Sequence, residues 1–252
     1  TGTFNISTTA AFIIAAAGIP VAKHGNRSMS SKSGSADCLE QLGININITP
    51  EKSEEVLNKA GICFMFAQGY HSSMKYVGPV RKEIGIRNIF NVLGPLTNPA
   101  GADIQVTGVY SEALVEPIAQ VFSNLGVKKG YVFYGMDGMD EVTLTTTTKV
   151  CEIDNGKFNT FILNPEDYGL KLCAPEDLAG GDGKENAEIT KEILSGEIKD
   201  AKRDIVVLNA ALGLCTGGKA DSIQDGIKLA NEIIDSGKAY AKIEEFAKAS
   251  NE

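Results

Sequence analysis

Apolar residues run unbroken from Ala10 through Ala-Phe-Ile-Ile-Ala-Ala to Ala17. A stretch apolar on every side belongs to a helix buried all round. Ser7 or Thr8 can cap its start, and Gly18, with Pro20 beyond, ends it near Ala17. The run is too short to span a bilayer and no basic segment precedes it, so neither a membrane helix nor a targeting signal is read here. Residues 19–23 are short and apolar, the pattern of a buried strand. A polar loop, HGNRSMSSKSGS, follows over residues 24–35, and then a helix from Ala36 to Leu42 that Gly43 stops. Ile44, Ile46 and Ile48 alternate with asparagines, a strand pattern. Thr49-Pro50 reads as an N-cap followed by a proline in the first helical turn.

The pattern changes over residues 50–93. Short helical patterns there are broken by Gly61, Gly69, Gly78-Pro79, Gly85 and Gly94-Pro95, with no convincing strand. The α/β pattern returns with a strand at 103–109, a helix at 112–125 and a strand at 131–134. Residues 142–153 and 158–163 flank Asp154-Asn155-Gly156-Lys157 and predict a β-hairpin. Helices follow near 185–195, 201–215, 222–236 and 238–249. The predicted class is therefore α/β, a mainly parallel sheet flanked by helices. Residues 1–49 and 94–252 form its two parts, and 50–93 form a segment of a small helical domain. No internal repeat or low-complexity tract is present.

Composition narrows the function. The 252 residues suit one large domain or two small ones, and the 43% apolar and 22% charged fractions suit a folded chain. The net charge of −8 gives no general attraction for nucleic acid or acidic lipid. The five cysteines, Cys38, Cys63, Cys151, Cys173 and Cys215, form no CxxC pair, which favours reduced thiols over a disulfide scaffold or structural zinc. Two histidines, His24 and His71, are too few for a histidine-rich metal site.

Three segments carry candidate chemistry. Thr1-Gly-Thr-Phe-Asn-Ile-Ser-Thr8 leads into a helix, whose N-terminus offers free N–H groups and a partial positive charge. Hydroxyls and an amide there suit phosphate, with a plain N-cap as the alternative. Lys23 to Ser35 follows a strand and holds three basic residues, two glycines and five serines. Flexible backbone, hydroxyls and cations at a sheet edge suit an anion with several phosphate oxygens; a solvated loop is the alternative. Asp140-Glu141 follows a strand and a Gly-rich turn. Two adjacent carboxylates with phosphate oxygens can hold Mg²⁺, or form only a solvated acidic turn. Gly180-Gly-Asp-Gly183 imitates a phosphate loop, but lacks the following Lys-Ser/Thr pair and reads as a helix-start turn. His71, at an expected helix start, has no partner visible in the sequence.

Taken together, Asn5-Ile-Ser-Thr8, Lys23-His-Gly-Asn-Arg27 continuing to Gly34-Ser-Ala-Asp37, Asn91-Val-Leu-Gly-Pro-Leu-Thr-Asn-Pro99 and Gly138-Met-Asp-Glu141 resemble the anthranilate phosphoribosyltransferases of tryptophan biosynthesis. The likeness covers essentially the whole chain. It implies the nucleoside phosphorylase/phosphoribosyltransferase-like fold and transfer of the ribosyl group of phosphoribosyl pyrophosphate (PRPP) to anthranilate. By this resemblance Thr3, Asn5, Ser7, Thr8, Lys23, His24, Gly25, Asn26, Arg27, Ser28, Met29, Ser30, Ser31 and Ser35 contact PRPP. Asn26 and Arg81 face anthranilate. Ser7 and Glu141 serve one Mg²⁺, and Asp140 and Glu141 a second. No residue is assigned as acid or base.

The resemblance further implies a cytoplasmic homodimer, with no nucleic acid or membrane as partner. Its members carry N-terminal helices and a strand ending in Gly-Thr-Gly-Gly-Asp before the position of Thr1. That strand is expected beside residues 19–23. The helical domain, the dimer contact and full activity are expected to depend on these segments, so the 252 residues alone are expected to be unstable or aggregation-prone and to have little transferase activity. Ser72-Ser73 and Asn88 depart from the usual Pro-Ala and Thr. Two rivals remain: a pyrimidine nucleoside phosphorylase, and a non-enzymatic relative that binds nucleic acid. The Asn-Pro segment and Asp140-Glu141 favour the transferase.

Overall fold

The computed structural model describes residues 2–28, 32–71, 76 and 90–252. Among the described residues it is an α/β assembly with two sheets. Helix α1 (Ile6–Ala16) leads to β1 (Val21–Gly25), α2 (Ser35–Gln41), α3 (Pro50–Ala60), β2 (Ile62–Phe66) and the single turn α4 (Ala67–Tyr70). After α5 (Phe90–Leu96) come β3 (Ile104–Gly108), α6 (Val115–Asn124), β4 (Lys129–Gly135), β5 (Thr148–Asp154) and β6 (Lys157–Leu163). Helices α7 (Gly183–Leu194), α8 (Ala201–Thr216), α9 (Ile223–Asp235) and α10 (Lys238–Asn251) complete the chain. β1 and β2 pair in parallel. β3 and β4 pair in parallel, and β4, β5 and β6 continue antiparallel.

The apolar run behaves as its composition requires. Phe12 and Ile13 of α1 are wholly buried, and α1 packs on α8, itself buried from Ile205 to Leu212. The helix begins at Ile6 rather than at a Ser7 or Thr8 cap, and Asn5 holds the N-cap position without a side-chain cap bond. Its amide is used elsewhere: Oδ1 accepts from Ser33 Oγ at 3.1 Å and from Asn186 Nδ2 at 2.9 Å.

Two strand expectations are corrected. Residues 62–66, expected to lie in a strandless helical segment, form β2, buried along its whole length and in register Lys23↔Phe64 with β1. A parallel strand buried on both faces reads as the unbroken apolar run ICFMF, without the alternation that marks a half-buried strand. Conversely, Ile44–Ile48 pairs with no strand. Ile44 and Ile46 are buried, but Asn45 N donates to Ser250 Oγ at 3.0 Å and Asn251 Nδ2 to the Gly43 carbonyl at 3.0 Å. Alternation there reports one-sided burial against α10, whose side chains supply the partners that a ladder otherwise would.

Smaller shifts follow the same logic. The strand expected at 19–23 lies at 21–25, starting where Val21 N donates to the Gly61 carbonyl at 2.9 Å. In the predicted hairpin only 148–154 and 157–163 are strand, joined by Asn155 and Gly156, both at positive φ (49° and 82°). Residues 142–147 form a loop held by threonine hydroxyls. Gly180–Gly183 is the helix start expected. Asp182 accepts from Lys184 N and Glu185 N, while Glu185 accepts from Asp182 N at 2.9 Å. Asp182→Ala is expected to cost about 1 kcal/mol, the usual worth of such a cap, readable in a urea melt.

All five cysteines are free thiols. Among the described residues no helix is long and apolar enough to cross a membrane.

Candidate active site

β1 and β3 face a common cleft of about 1100 Å³. The N-terminus of α1, residues 93–98 and the 140–141 loop also line it. The two strands belong to different sheets, so the cleft lies where the β1–β2 pair and the β3–β6 sheet come together, with the α1 N-terminus and the loop after β4 at its border.

At the α1 end three side chains converge. The Ser7 backbone N–H donates to Glu141 Oε1 at 3.3 Å, and Lys23 Nζ donates to Ser7 Oγ at 3.3 Å. A carboxylate thus meets the positive end of an 11-residue helix, and an ammonium lies one hydroxyl away. Burial, and then the neighbouring Asp140 charge, push the Glu141 carboxyl up to about 8, against the opposing pull of Lys23 and Ser7. Burial lowers the Lys23 ammonium, while Glu141 and Cys38 oppose the fall. Exposed Asp140 and half-buried Glu141 add carboxyl oxygens to the Ser7 hydroxyl at this end of the cleft. Hard oxygen donors of this kind fit Mg²⁺. Among the described residues no group of three or more His, Cys, Asp or Glu side chains gathers to hold a metal by itself. The fit is therefore to an ion that takes its remaining oxygens from a phosphate ligand and water.

The loop after β1 is tied back on itself by Asp37. Its Oδ2 accepts from Gly34 N at 2.8 Å and Ser28 N at 3.4 Å, and its Oδ1 from Arg27 Nη1 at 2.9 Å. Burial would raise the Asp37 carboxyl, but the bonds from Gly34, Arg27 and Ser28 hold it below its ordinary value. Arg27 also forks onto Glu40 at 2.6 and 2.9 Å and lies over the Phe66 ring at 5.7 Å. Its hydrogen bonds to Glu40 and then Asp37 tighten its hold on its proton. The Arg27 side chain is 43% exposed, and exposed ion pairs contribute only about 0–1 kcal/mol. The backbone bonds to Asp37 are what shape the loop.

On the other wall His24 Nε2 and His71 Nε2 meet at 3.2 Å, one ring edge-on to the other. One nitrogen must donate and the other accept, so at least one ring is neutral. Burial, and then His71, lower the His24 imidazole, and the Gly94 backbone opposes this. His71 follows the turn α4, and its partner is His24; residues 72–75, on which the expected helix start depends, lie outside the described residues. Asn98 Nδ2 donates to the Ala22 carbonyl at 3.1 Å, fastening the Asn-Pro segment to β1.

The chain matches the family described as "Glycosyl transferase family, a/b domain" over residues 1–240. It is 56% identical over 249 residues to the anthranilate phosphoribosyltransferase of Methanobrevibacter smithii, covering 99% of this chain and 74% of that protein. A protein of the same name from Ruminiclostridium cellulolyticum is also 56% identical, with 99% and 73% covered. The crystal structure of the Thermus thermophilus anthranilate phosphoribosyltransferase superposes with a TM-score of 0.94 at 43% identity, over 100% of this chain and 75% of that one. The chain belongs to the anthranilate phosphoribosyltransferase family.

The Saccharomyces cerevisiae anthranilate phosphoribosyltransferase in complex with PRPP and Mg has the same fold, with a TM-score of 0.91 at 30% identity over 100% of this chain and 70% of that one. In the present chain Asn5, Ser7, Thr8, Lys23, His24, Gly25, Asn26, Ser35, Asp140 and Glu141 all line the same cleft. Thr3 does not line it: it bridges to Ala179. Arg27 points to Asp37 and Glu40, and half-buried Ser28 donates its N–H to Asp37. Met29, Ser30, Ser31, Ser72, Ser73, Arg81 and Asn88 lie outside the described residues.

Sequence reasoning missed Ser33 and Asn186, which hold the Asn5 amide, and the pairing of the two histidines. The signal for Asn186 was faint, since it sits one turn into an ordinary capped helix. Asp37 stood within a quoted motif, but its role as the loop's anchor required coordinates.

Proposed function

We propose that this chain supplies the cleft, between β1 and β3, in which the phosphoribosyl group of PRPP is transferred to anthranilate, giving N-(5-phosphoribosyl)anthranilate and pyrophosphate. The observation that carries this reading is the convergence of Ser7, Lys23 and Glu141 at the N-terminus of α1. The helix end and the Lys23 ammonium suit the phosphates of PRPP. The loop closed by Asp37 supplies backbone N–H groups and serine hydroxyls, Ser35 among them. Ser7, Asp140 and Glu141 are the residues that would hold Mg²⁺, with Ser7 and Glu141 at one ion and Asp140 and Glu141 at a second. The metal, when bound, would neutralise charge on the pyrophosphate leaving group.

The aromatic amine is a weak base that attacks C1′ as the C1′–O bond to pyrophosphate breaks. Positive charge then grows on the ribose, and the amine proton passes to solvent. The protein's part in this reading is to orient the reactants and oppose charge, without an assigned acid or base. Asn26, exposed at the end of β1, and Arg81 are assigned to the anthranilate side, a guanidinium being the natural partner of its carboxylate. The same reading places the enzyme in the cytoplasm as a homodimer, which light scattering on a sizing column tests.

The direct test is loss of anthranilate fluorescence on adding PRPP and Mg²⁺. Consumption of anthranilate supports the reading. Phosphorolysis of uridine or thymidine with inert anthranilate would replace it with a nucleoside phosphorylase. Salt-sensitive DNA binding without turnover would replace it with a nucleic-acid-binding protein. Arg81→Ala is expected to raise the KM for anthranilate by about tenfold, the scale of one charge-assisted pair, with PRPP affinity nearly intact. Equal losses for both substrates would assign Arg81 a structural role.

A further inference from the structure

Asp140 and Glu141 lie in a stretch without regular structure, between β4 and β5, yet their backbone is held from two sides. Asp137 braces the turn before them: its Oδ1 accepts from Met139 N at 3.0 Å, and its Oδ2 from Thr143 Oγ1 at 2.6 Å and from the Thr145 hydroxyl. From the opposite side comes Asn209, in the middle of the buried helix α8. Its Oδ1 accepts from Val142 N at 3.0 Å, and its Nδ2 donates to the Val142 carbonyl and to the Ile205 carbonyl, each at 2.8 Å.

We infer that Asn209 is a positioning residue for the metal-binding carboxylates: by pairing both ways with the Val142 backbone it sets where Glu141 stands against the N-terminus of α1. The inference rests on the reading of Asp140 and Glu141 as Mg²⁺ ligands. Three observations carry it. First, Asn209 interrupts the apolar run Ile205-Val-Val-Leu-Asn-Ala-Ala-Leu212 while only 6% exposed. A buried amide is tolerated only when its polar atoms are satisfied, and here both donor hydrogens and the oxygen are used. Second, two of its three bonds go to the two ends of one residue, Val142. A bond to the N–H alone would leave that residue free to pivot; bonds to both N–H and C=O do not. Third, the partner is the residue that follows Glu141, whose carboxylate is 3.3 Å from Ser7 N, and Asn209 itself lines the same cleft. β3 closes the remaining side, because a Cβ on Gly108 would lie 1.8 Å from the Asp140 carbonyl oxygen. Asn209 thus ties the acidic loop to the buried helix α8, on which α1 also packs, so that loop and α1 are registered through one shared core element.

The test has a readout independent of turnover. Mn²⁺, standing in for Mg²⁺, is titrated in the presence of pyrophosphate and followed by electron paramagnetic resonance. Hydrogen exchange is followed over residues 136–147. Asn209→Ala and the near-isosteric Asn209→Asp, which loses the donors, are compared with Leu208→Ala, which opens a cavity at a fully buried apolar neighbour on the same helix. Both Asn209 variants are expected to weaken Mn²⁺ at least tenfold and to speed exchange at 136–147, with α8 itself still protected. In turnover, raised Mg²⁺ is expected to recover most of kcat, with the anthranilate KM within twofold of wild type. An unchanged Mn²⁺ affinity in a folded Asn209 variant would overturn the inference. So would an equal loss in Leu208→Ala, because Asn209 would then act only through general stability. If Asn209→Ala does not fold, Asn209→Asp decides alone, since it keeps the volume of the site. A wild type that binds Mn²⁺ with pyrophosphate but leaves anthranilate untouched would fail the proposed function and leave this inference standing.

Discussion

Glu141→Gln is expected to reduce kcat by about a hundredfold or more, the scale of removing one preorganised contact to a charge that grows in the transition state, while the protein stays folded. The carboxylate stands at the α1 N-terminus beside Ser7 and within the field of Lys23 and Asp140. The glutamine keeps the shape and an acceptor for the Ser7 N–H, so the loss isolates the charge. The pH dependence sharpens the test. Burial and Asp140 raise the Glu141 carboxyl to about 8, so at neutral pH a proton competes with the metal for it. Apparent Mg²⁺ affinity should therefore climb as pH rises, by at most about tenfold per unit for one displaced proton, and level off above that value. Glu141→Gln should remove that slope.

The folding sign runs the other way. An acid whose folded pKa lies above its ordinary 4.5 makes the metal-free fold lose stability as pH climbs from there toward about 8, so added Mg²⁺ should raise the melting temperature most at the alkaline end. A Glu141→Gln enzyme with near-normal turnover, or a wild-type Mg²⁺ affinity flat from pH 6 to 9, would rule out Glu141 as the ligand whose ionisation matters.

What the sequence made legible was local chemistry, and what it hid was pairing at a distance. The helices announced themselves through caps and periodicity. Thr49 Oγ1 accepts from Lys52 N, Asp182 and Glu185 close a reciprocal cap, and both helices start where their residues say. Strands were harder, because their partners lie far along the chain. β2 shows no alternation, since burial on both faces leaves no polar side to alternate with. Ile44–Ile48 alternates and yet is no strand, because periodicity reports a buried side and says nothing of what satisfies the backbone.

The cleft follows the same division. Asn5, Ser7, Lys23 and Asp140-Glu141 could be singled out because each stands next to a glycine turn or a helix start. That Ser7 meets Glu141 across 134 residues, or that Asn209 meets Val142 across 67, has no local signature beyond a polar residue where an apolar one is due. For Asn209 that signature was present and readable, as a lone amide within an apolar helical run.

Gly34→Ala is the second change expected to act strongly, and it acts through space alone. Gly34 has φ −93° and ψ 175°, extended backbone that any residue adopts, so no conformational strain attends the substitution. A Cβ there, however, would lie 2.4 Å from Ser28 N, 2.6 Å from the Asn26 carbonyl oxygen and 2.7 Å from the Arg27 carbonyl carbon. All three are backbone atoms, so no side chain can swing away, and the two limbs of the loop must part. Parting them breaks the short bridge in which Asp37 accepts from both Gly34 N and Ser28 N. Ser33, whose hydroxyl donates to the Asn5 side chain, moves with Gly34, so the displacement reaches the α1 end of the cleft. A shift of about 1 Å in a positioning loop can cost about a hundredfold, and kcat/KM for PRPP is expected to fall on that scale. The anthranilate KM at saturating PRPP should change little. Asp37→Asn, whose one oxygen can still accept from both limbs but which loses the charge and the Arg27 bond, should give a smaller loss in the same direction. A Gly34→Ala enzyme with unchanged kcat/KM for PRPP would show that the loop's closed shape is not what the phosphates meet. A fall in thermal stability with both substrates affected alike would show that Gly34 serves the fold and not the site.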